Sequence, residues 1–283
     1  MQNGPRYLTE NDINTISAYT SLTSGGGDGG WTPGATTDLS QLGYVGQTGD
    51  GRFYRWCLIG GTATLAPGQL LVAPTQAANT TGLAISSTQP QNTAFFNGTA
   101  SGSDSALTKG SLSFNVTNGA TAVTADEFAG GYVEVNQTSG TNEGPVKYKL
   151  AGNTSAAASG TITLRLAEPL AQPEKLVAGT DTVSLFKSPW SNVVTSATVG
   201  RPVGVLTVQV PNTSSQQYLA WLQTKGDCVV NADATGTTAF ESIKQSVTTA
   251  GDVVVGSAAT DYLIGQALTT VTSGVASVVL NIL

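Results

Sequence analysis

The chain of 283 residues contains no histidine, 11% charged residues and a formal net charge of −6 at pH 7. The missing histidine excludes Ser-His-Asp and Cys-His catalytic arrangements, together with every metal site that uses an imidazole ligand. The 12 lysines and arginines are scattered singly, whereas nucleic-acid binding requires clustered basic residues. The composition therefore argues against a nucleic-acid partner.

The rest of the composition favours β structure. β-Branched residues fit pleated strands, and the 34 glycines suit the tight turns that join strands. We predict an all-β protein of two small β-barrel or β-sandwich modules with an extended N-terminal arm. No apolar window is long enough to cross a membrane and no secretory signal begins the chain, so we expect no membrane partner and synthesis in a cytoplasm.

Residues 1–34 are predicted to form this arm and a glycine-rich joint. Thr9 is suited to cap a short helix, and an extended arm is the alternative. The run S-G-G-G-D-G-G-W-T-P-G at residues 24–34 cannot sustain a helix or a central strand, because glycine is entropically costly to fix. We therefore expect an arm that is mobile until it contacts a neighbour. The residues of this segment predicted to contact a partner are Tyr7, Leu8, Ile13, Ile16, Tyr19 and Trp31.

Residues 35–105 are predicted to contain the first β segment and a polar linker. The strand R-F-Y-R-W-C-L-I (Arg52–Ile59) places Tyr54 and Trp56 on one face, because strand side chains alternate with a period of two. Such aromatic residues usually form the core of a small β module. The alternative is an exposed platform on which carbohydrate rings stack.

A turn and a polar stretch follow this strand. The sequence A-P-G-Q at residues 66–69 predicts a type II turn within a hairpin, since proline suits its first central position and glycine its second. Residues 76–104 are rich in Thr, Asn, Ser and Gly. They predict a long surface loop or a link between two β modules.

The two cysteines, Cys57 and Cys228, both come after a tryptophan in a strand-like segment. This setting favours buried apolar positions over a disulfide bond, because cytoplasmic thiols stay reduced.

Residues 106–190 are predicted to form a central β module, and residues 191–283 a C-terminal one. The C-terminal module contains apolar segments bounded by Gly, Pro, Asn or Asp, among them R-P-V-G-V-L-T-V-Q-V and Y-L-A-W-L-Q-T-K-G-D-C-V-V. Whether the first and last β segments close one module around the central one is left open by the sequence. Trp190 lies in loop-like sequence and is a further predicted partner contact.

Few residues are candidates for chemistry. Two carboxylate pairs, Asp126 with Glu127 and Asp227 with Glu241, could serve a hydrolase, but surface turns explain them better. The glycines at 25–30 lack the G-K-[ST] ending of a phosphate loop, and no D-x-D-x-[DG] calcium loop occurs. We therefore predict no enzymatic activity, no catalytic residue, no cofactor and no metal.

Several blocks of the sequence follow one another in a characteristic order. They are F-A-G-G-Y-V-E-V-N (Phe128–Asn136), Y-K-L-A-G-N (Tyr148–Asn153), T-I-T-L-R-L-A-E-P-L (Thr161–Leu170) and the apolar segments from Arg201 to Leu283. In this order they resemble the head decoration, or cement, proteins of tailed bacteriophages, including cyanophages. Residues 1–125 look less like this family.

The resemblance implies a structural protein without an active site. It implies a location on the outer surface of the virion capsid after synthesis in the host cytoplasm. The implied partners are the major capsid protein and further copies of the chain, most often as a homotrimer.

Two functions remain open from the sequence. The first is a capsid decoration protein that stabilises contacts between capsomers, which needs a flat contact surface and often an arm. The second is an adhesin of the virion surface, as a head fibre or tail protein that binds host glycans, which needs an exposed aromatic cleft.

Overall fold

The computed structural model describes residues 6–14, 17–19, 39–60, 63–74, 83–84, 106–107, 112–137, 144–170, 176–177, 181–198, 200–211, 217–256 and 261–282. It contains 51% strand and 3% helix, and its sheets are barrel-like. The prediction of an all-β fold with barrel or sandwich modules is confirmed.

The chain divides into two compact units. The terminal unit combines residues 1–75 with residues 189–283, and the central unit comprises residues 76–188. The first and last β segments therefore belong to one unit, which answers the question that the sequence left open.

The elements fall in this order. The terminal unit begins with β1 (Arg6–Tyr7), α1 (Glu10–Ile13), β2 (Ser17–Tyr19), a 3-10 turn (Leu39–Gln41), β3 (Val45–Gln47), β4 (Phe53–Ile59) and β5 (Leu70–Val72). The central unit contains β6 (Leu83–Ala84), β7 (Ala106–Leu107), β8 (Ser113–Thr117), β9 (Tyr132–Gln137), β10 (Gly144–Asn153), β11 (Thr161–Leu166), β12 (Leu176–Val177) and β13 (Thr182–Phe186). The terminal unit ends with β14 (Pro202–Leu206), β15 (Gln217–Ala232), β16 (Ser242–Gln245), β17 (Val253–Val255), β18 (Leu263–Ala267) and β19 (Gly274–Asn281).

The 16-residue strand β15 organises the terminal unit, because two barrels share it. Its first half pairs with β4 and β14, and β5 pairs with β14. Bridges at Val193 and Val194 link β4 and β5, which closes this first barrel. The second half of β15 pairs with β19, and the ring continues through β18, β16 and β17 back to Ala232. We call this ring the C-terminal barrel.

Each of these barrels has its own apolar core. Residues of β4, β5, β14 and the first half of β15 fill the first, including Cys57 and Leu222. Residues of β16 to β19 and the second half of β15 fill the other, including Cys228 and Val278. Both cysteines are buried, as predicted, and they lie in different cores.

The predicted turn at residues 66–69 is present, but the hairpin is wrong. Gly68 has φ 85°, as the third position of a type II turn requires, and the Gln69 N–H donates to the Ala66 carbonyl at 3.4 Å. The residues on either side do not pair with each other. Leu65 bridges to Val210, and β5 pairs with β14, because both flanks extend along the same neighbouring segment.

The described part of the predicted arm is integrated into the terminal unit. Thr9 caps α1 in a capping box with Asp12, which confirms the predicted short helix. Strand β1 pairs with β3, and β2 pairs with β15. Leu8 lies over Gly46 beside the Trp221 ring, and Ile13 is 2% exposed. Residues 6–14 are therefore part of the sheet assembly rather than a separate arm, since their apolar side chains complete its core.

The central unit contains one six-stranded sheet and a two-stranded pair. The sheet has the order β6-β13-β9-β10-β11-β8, and its end strands β6 and β8 contact each other, so it curls into a barrel-like form. β10 pairs first with β9 and, after a bulge between Leu150 and Gly152, with β11. Its core is fully buried around Phe114, Phe128 and Leu164.

Candidate interaction face

Two regions of the molecule share one strand-and-turn arrangement. In the central unit, β8 leads to the turn T-A-D-E at residues 124–127 and then to β9, β10 and β11, which pairs back with β8. In the C-terminal barrel, β15 leads to the turn T-A-F-E at residues 238–241 and then to β16, β17, β18 and β19, which pairs back with β15. The third residue of each turn has a positive φ, 58° at Asp126 and 68° at Phe240.

Backbone hydrogen bonds set the two regions in the same register. The Asp126 N–H donates to the Asn153 carbonyl at 2.9 Å, and the Phe240 N–H donates to the Ala267 carbonyl at 2.8 Å. Asn153 therefore occupies the position that Ala267 occupies in the C-terminal barrel.

The register continues along the neighbouring strands. Gly152 faces Arg165, and Gln266 faces Val279 in the same way. Arg165 and Val279 are thus equivalent positions. The ladders β8–β11 and β15–β19 then give three further equivalent pairs: Asn115 with Val229, Thr163 with Ser277, and Thr161 with Val275.

In the central unit, the side of this ladder turned away from the core is polar and internally bonded. The Thr163 hydroxyl donates to Asn115 Oδ1 at 2.7 Å. Arg165 Nη2 donates to Asp126 Oδ1 at 2.5 Å. This ion pair passes over Gly152, where a Cβ would collide with both side chains, so only glycine fits there. The polar groups of this side are therefore largely satisfied within the chain.

In the C-terminal barrel, the equivalent side is apolar and open. Val229, Val275 and Val279 are 54%, 61% and 36% exposed. Leu268, whose N–H donates to the Ser277 carbonyl, is 40% exposed beside them. Alternation along β15 explains the exposure, because Cys228 and Val230 point into the core.

Phe240 adds an aromatic side chain to this side. It is 76% exposed, although its positive φ is costly for a bulky residue and is usually found at glycine or asparagine. In the central unit the side chain at this turn position reaches Arg165, which is equivalent to Val279. We therefore group Phe240 with Val229, Leu268, Val275 and Val279, and call these five residues the apolar face.

A cleft of about 580 Å³ adjoins the apolar face. Its volume lies in the range of small-ligand sites, but no aromatic side chain of the described residues lines it. The lining residues that matter for its chemistry are Arg52, Thr207, Asp227, Val229, Leu268 and Val275. The Thr207 hydroxyl oxygen is buried and has no hydrogen-bond partner among the described residues. The cleft thus combines aliphatic walls with one unsatisfied hydroxyl.

Charges around the cleft are predominantly negative. Arg52 is held by Glu10 at 2.5 Å and by Asp50 at 2.7 Å, so its positive charge is already compensated. Asp227 is exposed and makes no ion pair within the described part of the chain. Lys225 directs its ammonium group toward the Phe53 ring, 5.6 Å from the centroid.

No protein-family model, curated protein or solved structure matches the chain. The role of the apolar face is therefore inferred from its own geometry. Among the described residues, no group of three or more Cys, Asp or Glu side chains is placed to hold a metal ion. None of the helices in the described ranges has the length and hydrophobicity needed to span a membrane.

The residues predicted from the sequence to contact a partner differ in their exposure in the structure. Tyr7 is 78% exposed on β1, whereas Leu8 and Ile13 are buried in the terminal unit and cannot contact a partner. Their prediction as contacts is wrong, because the capped turn directs both side chains into the chain's own core. Ile16 and Trp31 lie outside the described residues, as does the glycine-rich joint. Tyr19 belongs to β2, but its side chain also lies outside the described part.

Trp190 packs within its own unit. It is partly buried against the core of the first barrel, and the Arg55 guanidinium lies 5.0 Å from its ring centroid. Its backbone carbonyl accepts the Leu58 N–H at 2.9 Å. Trp190 therefore anchors its own chain.

The aromatic residues of β4 are core residues. Tyr54 is 0% and Trp56 6% exposed, and the Trp56 and Trp221 ring centroids are 5.0 Å apart. Burial raises the pKa of Tyr54 to about 12. This face cannot serve as the carbohydrate platform that was the alternative interpretation of the strand.

The candidate reactive groups are protonated thiols, carboxylates bound by cations, or carboxylates with other strands between them. Burial raises the pKa of Cys57 well above its usual value and that of Cys228 to about 12, so both thiols are protonated and poorly nucleophilic at neutral pH. Burial alone would raise the pKa of Glu127, but hydrogen bonds from Lys187 and Thr124 outweigh it and hold the pKa below its usual value. Asp126 is bound by Arg165.

The remaining carboxylate pair is not a pair in the structure. Asp227 lies on β15 and Glu241 precedes β16, and the strands β19 and β18 lie between them along the barrel. The two carboxyl groups of a glycoside hydrolase, one an acid and the other a base or nucleophile, must flank a single scissile bond. This arrangement does not provide that geometry.

Proposed function

We propose that this protein is a capsid decoration protein of a tailed bacteriophage, which binds the outer surface of the head and stabilises contacts between capsomers. The observation that carries the proposal is the apolar face. The outward side chains of the ladder in the central unit are polar and bonded to one another. The side chains at the equivalent strand positions of the C-terminal barrel are apolar and exposed. Exposed apolar side chains grouped in this way mark surfaces for protein partners.

The order of sequence blocks supports the same proposal. The blocks that resemble phage decoration proteins include β9, β10, β11 and β14 to β19, which build the polar ladder and the apolar face. We propose the major capsid protein as the partner, the outer capsid surface as the location, and a homotrimer as the assembled form.

The proposed protein binds without catalysing a reaction. Its two thiols are protonated, and its clustered carboxylates are bound to Arg165 and Lys187. A decoration protein needs no chemistry, because many weak contacts repeated over a symmetric shell favour the closed lattice over separated capsomers.

The test is binding to phage heads that lack the protein. We expect near-stoichiometric occupancy relative to capsid subunits, measured by cosedimentation and quantitative gel staining. We also expect occupied heads to rupture at a higher temperature, measured by dye access to the packaged DNA. Saturating occupancy without a gain in rupture temperature would contradict the proposal.

The adhesin hypothesis predicts a different result in the same preparations. An adhesin would be present in few copies, and binding to a glycan array would be lost when exposed aromatic residues are replaced. Because Tyr54 and Trp56 are buried, the structure offers such a protein no aromatic platform on β4.

A further inference from the structure

We propose that the apolar face and the adjoining cleft bind an extended segment of the partner that carries an aliphatic residue flanked by lysine or arginine. This inference rests on the proposed function, because it names the surface by which the protein would hold the shell. It commits to a basic and aliphatic segment rather than to a glycan or to a second copy of this chain.

The aliphatic part of the segment is inferred from the cleft. Leu268, Val229 and Val275 provide aliphatic walls, and among the described residues no aromatic ring lines the cleft to stack on a sugar. Thr207 also lines the cleft, but its hydroxyl oxygen is buried, so the contact with a ligand falls to the aliphatic walls. An extended segment can present alternate side chains to such walls, because strand side chains alternate with a period of two.

The basic part of the segment is inferred from charge complementarity. The cleft contains the Asp227 carboxylate, which lacks an ion pair among the described residues, and Arg52, which is already bound by two carboxylates. Two cations, Arg52 and Lys225, and three anions, Glu10, Asp50 and Asp227, leave this region with a net charge of −1. A lysine or arginine beside the aliphatic residue would compensate Asp227 and favour the correct partner over acidic ones.

The size of the face argues against a second copy. Five side chains at these exposures present on the order of 400 Å² of apolar surface, whereas a stable pairwise interface buries about 800 Å² on each partner. A contact of this size is weak alone. It becomes effective when many copies bind a repeated lattice, since the contacts then act together.

The test uses three variants of the full chain. The face variant combines Val229→Asn, Val275→Thr and Val279→Arg, which are the residues that the central unit carries at the equivalent positions and are therefore compatible with the strands. The charge variant is Asp227→Lys. The control is Val247→Asn, which changes a valine of similar exposure (53%) in the turn after β16. Far-UV circular dichroism identifies any variant that fails to fold.

Cosedimentation with heads that lack the protein is the first measurement. We expect the face variant to lose affinity about tenfold or more, the charge variant to lose affinity severalfold, and the control to bind as the unmodified chain does. If the unmodified chain does not bind heads, the proposed function fails. If it binds and the face variant binds equally well, the function stands and this inference is overturned.

Synthetic peptides are the second measurement, and they test the inference without heads. The probes are acetyl-Ser-Lys-Val-Leu-Lys-Ser-amide, a version with both lysines replaced by glutamate, and a version with Val-Leu replaced by Ser-Asn. Only the first should shift the amide resonances of Val229 and Ser277 in the labelled protein. Equal shifts with the glutamate peptide would overturn the inference. So would a dimer, seen by sedimentation velocity, that the face variant abolishes, because the occupant would then be a second copy.

Discussion

The central unit and the C-terminal barrel build one motif with different outward-facing residues. In the central unit, Asp126 and Arg165 form an ion pair above Gly152. In the C-terminal barrel, the positions of Asp126 and Arg165 are occupied by Phe240 and Val279, and both are exposed. The backbone register is the same in both regions. Comparing them therefore distinguishes the residues that the motif needs for folding from those that differ only on its outer surface.

The difference shows that the apolar face is not a requirement of the strand arrangement. A polar, hydrogen-bonded surface supports the same ladder, with Asn115 and Thr163 in place of Val229 and Ser277. The exposed apolar side chains of the C-terminal barrel are therefore not required by the strand arrangement, as the proposed binding of a partner there expects.

The largest effect is expected at Asn153, which is 1% exposed. Its Oδ1 accepts the Phe128 N–H at 2.9 Å, and its Nδ2 donates to the Thr124 and Thr154 carbonyls. Asn153→Ala leaves these buried groups without partners and should lower the free energy of unfolding by roughly 2–4 kcal/mol. Ala267 occupies the equivalent position without such bonds, so the C-terminal barrel does not depend on a side-chain amide there.

Urea unfolding checks this prediction with two signals. The three tryptophans among the described residues, Trp56, Trp190 and Trp221, lie in the terminal unit, so their fluorescence reports that unit, while far-UV circular dichroism reports both. We expect the dichroism transition to move to lower urea in Asn153→Ala. The matched control is Ala267→Gly, which should cost about 1 kcal/mol and move the fluorescence transition. A change below about 0.5 kcal/mol for Asn153→Ala would show that the amide is dispensable in both regions.

A smaller effect is expected in the connection that leads from the ladder to the turn. The central unit buries Asn118 there, and the C-terminal barrel buries Asp233. Asp233 Oδ2 accepts the Ser246 hydroxyl at 2.5 Å and the Thr248 hydroxyl at 3.0 Å. Burial alone would raise the pKa of Asp233, but these bonds and that from the Thr235 N–H outweigh it and hold the pKa below the usual 3.8.

The lowered pKa of Asp233 determines how the stability of the fold changes with pH. Because the folded pKa lies below the unfolded one, the Asp233 carboxylate stabilises the fold above pH 3.8, and this stabilisation is lost as the pH falls through the folded pKa. Asp252 acts in the opposite direction, since burial and the Asp233 charge raise its pKa. Asp233→Asn should cost roughly 1–2 kcal/mol at pH 7 and flatten the loss of stability below about pH 4.

Thermal unfolding between pH 7 and pH 2.5, followed by tryptophan fluorescence, measures this slope. Ser246→Ala is the control, because it removes a neutral donor and should lower stability at neutral pH while leaving a titrating carboxylate. An Asp233→Asn variant as acid-sensitive as the unmodified protein would place the sensitivity at another carboxylate.

The smallest effects are expected at the two turns, where the same kind of substitution should change the free energy of unfolding in opposite directions. Phe240→Gly removes a bulky residue from positive φ and should stabilise the protein by about 0.5 kcal/mol, the strain relieved slightly exceeding the entropy that glycine loses. Asp126→Gly relieves less strain and loses the contacts to Arg165 and to the Asn153 N–H, so it should destabilise by about 1 kcal/mol. Urea midpoints of both variants check the signs. If both variants are destabilised, Phe240 contributes to packing and is not held in the turn for a partner.

Features that depend on a few adjacent residues could be predicted from the sequence. The Thr9 cap and the Pro67–Gly68 turn were predicted because each depends on a few adjacent residues. The hairpin around that turn was not formed, since pairing depends on segments as distant as Val210. The continuity of β15 depends on Gly226, which adopts φ 91° while pairing continues through Ala232.

The apolar face could not be predicted from the sequence. Val229 and Val279 look like the core valines beside them, and only the register shows which alternate positions face water. The structural similarity of the two regions could not be seen in the sequence for the same reason. Beyond the turns T-A-D-E and T-A-F-E their outward residues differ, and the likeness is carried by backbone hydrogen bonds.

The sharing of β15 has a mechanical consequence. At Lys225 the strand pairs with Phe53 of β4 on one side and with Asn281 of β19 on the other, so a pull on β19 is carried along β15 to β4. Both ladders are antiparallel and lie along the direction of that pull, which loads their hydrogen bonds in shear, many at once, instead of opening them one by one. Tension applied between the two barrels would therefore strain a continuous strand common to both, and neither barrel could be drawn away without breaking its ladder with β15.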